Sequence, residues 1–73
     1  MVLTIKSEWS DGTVHTSQEN VGASKGRYIM AAITRYPRKY KKIPNGFQYE
    51  TPHRFIWGMG RCVTTVTLTR GFV

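Results

Sequence analysis

The residues of this chain best suited to chemistry are cations and aromatic rings. The segment Tyr36-Pro37-Arg38-Lys39-Tyr40-Lys41-Lys42 interleaves four positive charges with two tyrosines. Arginine and lysine neutralise phosphates and release the counterions condensed on them, whatever the base sequence. A tyrosine among them can stack on an exposed base, a contact worth about 1–3 kcal/mol. Pro37 and Pro44 hold the stretch extended, which lowers the cost of ordering it on a partner. The plain alternative is a solvated loop in which Tyr36 closes a helix against the core.

A second group lies upstream. Lys25 and Arg27 follow the small residues Gly22-Ala23-Ser24 and open a segment with helical character. Cations there oppose the helix dipole, and a phosphate at that end would relieve the opposition. The stretch is not a P-loop, because the closing Gly-Lys-Ser/Thr and the required length are absent. An unspecialised flexible loop fits the same residues.

The other reactive side chains are sparse. His15 and His53 are the only histidines and Cys62 the only cysteine. No pair of them has the spacing of a metal ligand set, so no metal and no cofactor is expected. Two histidines and a lysine can in principle cleave RNA by general acid–base chemistry, but nothing in the sequence fixes their geometry. Cys62 reads as a small apolar residue on a strand. One thiol cannot close an internal disulfide, so we expect a protein of the cytoplasm that needs no oxidising compartment. Trp9 and Trp57 crowd so small a core: the plain reading is that both pack in it, and the alternative is that at least one is partly exposed, as at an interface.

The distribution of charge says more than its total. Eleven Lys and Arg face four Asp and Glu, a formal net charge of +7. Between Asn20 and Tyr49 there is no acid, and that stretch holds Lys25, Arg27, Arg35, Arg38, Lys39, Lys41 and Lys42. Elsewhere Lys6, Arg54, Arg61 and Arg70 balance Glu8, Asp11, Glu19 and Glu50, so the whole excess belongs to the middle of the chain. A focused positive field speeds encounter with a negative partner.

The 73 residues suffice for one domain, 1–73. So short a chain buries only about 60% of its unfolded surface, and a homodimer would add to that. At 40% hydrophobic with nine aromatic residues it is too apolar to be intrinsically disordered. No run approaches the roughly 18 apolar residues of a membrane span. The first residues lack the basic flank and apolar run of a signal peptide.

The elements that must position these groups follow from periodicity. Val2 to Trp9 alternates, with Leu3, Ile5 and Trp9 on one face and Thr4, Lys6 and Glu8 on the other, which predicts a half-buried strand. Asp11-Gly12 predicts a tight hairpin with positive φ at both central residues, and Thr13 to Thr16 a short return strand with Val14 inward. Ser17 to Lys25 reads as loop. Gly26 to Tyr36 reads as a helix, capped by Ser24, with Ile29, Ala32, Ile33 and Tyr36 on one face and Met30 beside them; Pro37 ends it. Pro37 to Gly46 reads as loop. Phe47 to Thr51 reads as a strand that stops at Pro52 or lies at a sheet edge, and His53 to Trp57 continues extended. Gly58-Met59-Gly60 reads as a turn and Arg61 to Thr69 as the clearest strand.

The expected fold is α+β: a small antiparallel sheet in the order β-β-α-β-β with one helix packed on it. If 26–36 is extended, the alternative is an all-β five-stranded sheet or small barrel. The preferred function is a nucleic-acid-binding module, for DNA or RNA, acting through Lys25, Arg27, Arg35, Arg38, Lys39, Tyr40, Lys41 and Lys42. The alternatives are a small inhibitor or adaptor that docks on an acidic protein surface, and a minimal ribonuclease. No catalytic residue is assigned, and neither a membrane partner nor enzymatic activity is expected.

Overall fold

The alternating run Val2–Trp9 forms strand β1 in a computed structural model that describes residues Met1–Val73. Leu3 is buried and Lys6 and Glu8 are exposed, as the period of two requires. The chain reverses through Ser10-Asp11-Gly12 into β2, Val14–Asn20. The Trp9 N–H donates to the Thr13 carbonyl at 2.9 Å and closes a three-residue loop, in which only Gly12 takes positive φ, at 96°. The Gly12 N–H donates to the Trp9 carbonyl at 3.0 Å, and the Thr13 N–H donates to Asp11 Oδ1 at 2.9 Å. A turn followed by a left-handed glycine therefore replaces the expected pair of positive φ values.

Strand β2 is longer than its sequence suggests and is exposed throughout, Val14 included. It lies at the edge of the sheet, pairing only with β1, from Val2↔Asn20 to Glu8↔Val14. An edge strand uncovered on both faces needs no apolar alternation, so its polar run imitates a loop.

Helix α1 spans Ala23–Thr34. Its cap is Gly22, with no side-chain cap bond, so Ser24 does not cap it but lies in its first turn. The helix begins before Gly26, which reads as a break in sequence and is buried in the structure. A Cβ at Gly26 would stand 2.8 Å from Leu68 Cδ1 and 3.1 Å from Val21 Cγ2. The bare backbone is what lets the helix approach the sheet there. Arg35 caps the C-terminus, and Pro37 follows the break. Tyr36 lies beyond the helix and is exposed, so it does not join Ile29, Met30 and Ile33 against the core.

The expected loop 37–46 contains strand β3, Lys41–Ile43. It pairs with β4, Gly46–Phe55, across a Pro44-Asn45 turn in which Asn45 takes φ 63°. Proline followed by a positive-φ asparagine suits the central positions of a type II turn. Strand β4 runs straight through Pro52. Its outer side is unpaired there, because β3 reaches only as far as Gln48, so the missing N–H breaks no ladder. The last turn is Ile56-Trp57. Gly58-Met59-Gly60 is not a turn and already belongs to β5, Gly58–Thr69.

The result is α+β: one antiparallel sheet of five strands, in the order β2-β1-β5-β4-β3, with a single helix. Leu3, Val21, Phe47, Val66 and Leu68 form the core, with Ile5, Ile29, Met30, Ile33 and Tyr49 packed against it. Cys62 and Thr64 continue the buried row of β5. Burying a leucine, valine or phenylalanine in this way contributes about 1.5–3 kcal/mol each. The helix covers only the Leu3–Leu68 end of this face. Beyond Thr64 the sheet runs on uncovered by the helix, in a molecule 41 × 26 × 17 Å.

Candidate nucleic-acid interface

All seven cations between Lys25 and Lys42 are exposed, and none is in an ion pair. The two ion pairs of the molecule, Lys6–Glu8 at 3.6 Å and Arg61–Glu50 at 3.3 Å, use charges from the balanced remainder of the chain. The first turn of α1 contains no acid, so nothing there offsets Lys25.

The seven do not share one flat face. At 100° per residue, Lys25 and Arg27 lie about 160° apart around the helix, on opposite flanks of the stripe that packs on the sheet. They therefore do not form one phosphate pocket. Arg27, Ala31 and Arg35 follow one another at i+4 intervals and make a single exposed row. Arg38 and Lys39 occupy the link from the helix to β3. In β3, Lys42 stands opposite Phe47 on the helix-bearing face, and Lys41 opposite Gln48 on the other. The arrangement is a strip that leaves the helix and wraps the β3 edge of the sheet.

Tyr40 sits within this strip, 43% exposed, with its ring edge-on to Phe47 at 5.5 Å. Phe47 in turn stacks on Tyr49 at 6.0 Å. The ring is thus fixed by the core on one side and open on the other. Tyr36 is freer, and its ring rests on no other aromatic side chain. Lys39 borders two shallow depressions along the outer side of β4. One is shared with Tyr40, Lys41, Gln48, Tyr49 and Glu50; the other with Thr51, Pro52, Met59 and Arg61. The basic link therefore lies beside the β4–β5 hairpin, a neighbour the sequence did not indicate.

That hairpin carries what sequence reasoning saw only in part. Trp57 is 75% exposed and Trp9 half-buried, so the two tryptophans do not both pack in the core and the alternative of an exposed tryptophan is the one found. The Ile56-Trp57 turn and Met59 add further exposed apolar surface. Trp9, His53, Phe55 and Trp57 form a chain of contacting rings, at 5.8, 5.0 and 5.6 Å in succession. Period-two reading of β4 as one strand through Pro52 would have placed His53 and Phe55 on the face of Phe47.

Elsewhere the site chemistry is spare. His15 on β2 and His53 on β4 are three strand spacings apart, about 14 Å, and out of register besides, so they cannot act on one bond. No three histidine, cysteine or acidic side chains come together to hold a metal ion. Cys62 is a buried free thiol. The Asp11 carboxyl is held below its ordinary value, chiefly by the backbone N–H of Thr13 and then by its hydroxyl. No helix is long and apolar enough to cross a membrane. Comparison with protein-family models, with curated proteins and with solved structures finds no match to this chain.

Proposed function

We propose that this protein is a nucleic-acid-binding module that grips the phosphate backbone with the strip from Arg27 and Arg35 through Arg38, Lys39, Lys41 and Lys42. The observation that carries the reading is the set of seven exposed, unpaired cations between Lys25 and Lys42, with no acid among them. Unpaired surface cations repel one another and cost stability, an arrangement that a polyanion relieves. Tyr40, fixed against Phe47 with its other side open, supplies a ring among the cations for a base. An acidic protein surface would satisfy the charges but leave that ring without a stacking partner. The reading needs no cofactor and places the protein in the cytoplasm, where its one thiol stays reduced.

The test is affinity for single- and double-stranded oligonucleotides across a salt series. A linear fall of log affinity with log salt, with several ions released, supports the reading. Binding to neither strand form at low salt, or binding indifferent to salt, overturns it. Recovery of one stoichiometric acidic protein from nuclease-treated extract, with no oligonucleotide binding, would put the adaptor reading in its place.

A further inference from the structure

The uncovered end of the sheet is distinct from the basic strip. By alternation along β4, Thr51, His53 and Phe55 lie on the same face as Phe47, past the region that α1 covers. Phe55 stacks on Trp57 at 5.6 Å and 16° between planes, and meets His53 edge-on at 5.0 Å. Gly60, opposite His53 in β5, has no room for a Cβ because the Phe55 ring lies over its backbone. Such an aromatic ring laid across a strand glycine is held by the sheet itself. Trp57 therefore has one ring face fixed on Phe55 and the other facing solvent, with no loop or helix above it.

We infer that this surface is a stacking platform for single-stranded nucleic acid, with Trp57 and His53 receiving unpaired bases while the neighbouring basic link holds the phosphates. The inference rests on the nucleic-acid reading and adds to it the class of substrate and a second set of contacts. Duplex bases are already stacked on one another and present no free faces along the helix. Strand-exposed rings can be matched only by bases that are splayed out. Charge selects the same occupant. Lys39 borders Thr51, which lies on the platform's own face at the root of the hairpin, and Glu50, the acid next to Thr51, is already paired with Arg61. A second copy of the chain is a poorer occupant. Ile56, Trp57 and Met59 together expose on the order of 500 Å², short of the roughly 800 Å² per partner of a stable interface, and like charges would meet across it.

The experiment compares Trp57→Ala with Phe72→Ala, an equally exposed ring outside the platform, for binding to a short oligodeoxythymidine. Both residues are exposed, so neither change removes core packing. Trp57→Ala is expected to weaken binding by about 5- to 150-fold, the range of one lost stack. The slope of log affinity against log salt should stay unchanged, because no phosphate contact is lost. Phe72→Ala should bind as the parent does, and a duplex of the same length more weakly than the single strand. Salt-dependent binding that Trp57→Ala leaves intact overturns the platform and leaves the backbone-binding reading standing. Absence of any salt-dependent binding by the parent overturns both. Binding to anionic phospholipid vesicles, with none to the oligonucleotide, would show that the apolar hairpin meets a membrane surface instead.

Discussion

Replacing Arg38, Lys39, Lys41 and Lys42 together by alanine removes the part of the strip that wraps the β3 edge. The expected effect can be worked from the geometry. Lys25 and Arg27 stand on opposite flanks of α1, so one strand can engage at most six of the seven cations. Single-stranded nucleic acid releases about 0.7 ion per contact, so the parent slope should approach about −4. Between about 50 and 200 mM salt the parent then loses affinity by roughly 300-fold, and the fourfold variant, with two contacts left, by only about 7-fold. None of the four side chains is buried or ion-paired, so the variant should unfold within about 1 kcal/mol of the parent. The assay is fluorescence anisotropy of a labelled oligonucleotide over a salt series, with urea unfolding of each variant alongside. The control replaces Lys6 and Arg70. An unchanged slope in the fourfold variant, or an equal loss in the control, would refute the reasoning.

Three further outcomes follow from local structure. Gly46→Ala would drive a Cβ into the backbone carbonyl of Val66, which cannot move aside, and should cost at least about 2–3 kcal/mol in urea unfolding. Gly22→Asp meets nothing within 4 Å and adds both a cap and a negative charge to α1, so it should stabilise by about 0.5–1 kcal/mol. The carboxyl of Asp11 should titrate below its ordinary value in a carbon-detected NMR titration. Because its folded pKa is depressed, its contribution to the turn is present above the unfolded value and is lost as pH falls through the folded one. A midpoint at or above the ordinary value would contradict the Thr13 hydrogen bonds.

What could be read from the sequence, and what could not, divides by how much each element relies on burial. Strands β1 and β5 were legible because each puts one face in the core, so Leu3, Val66 and Leu68 impose a period of two. Periodicity ends β2 too early because nothing covers the strand. His15 through Asn20 answer only to backbone pairing with β1, and backbone pairing leaves no mark on side-chain type. Sequence starts α1 too late because Gly26 reads as a breaker in isolation. Its value lies in the Leu68 and Val21 side chains it admits, which are distant in sequence or in another element. Three-residue β3 sits between two prolines and is held by pairing with Gly46–Gln48, so composition alone gives a loop.

The candidate site was half legible on the same grounds. Charge is additive along the chain, so the basic segment could be counted directly. Its shape could not, since the flank taken by each helical residue depends on which stripe packs on the sheet. The ring chain of Trp9, His53, Phe55 and Trp57 draws on two strands and a turn, and it appears only once β4 is known to continue through Pro52.

The most direct test of the central claim is a residue-by-residue NMR titration of the isotopically labelled protein with a single-stranded oligonucleotide. The account predicts the largest amide shifts from Arg35 to Lys42, with a second group at His53 to Gly58, and little change along β2 or at Phe72 and Val73. Shifts centred on β2, or none at low salt up to a large excess of oligonucleotide, would contradict it.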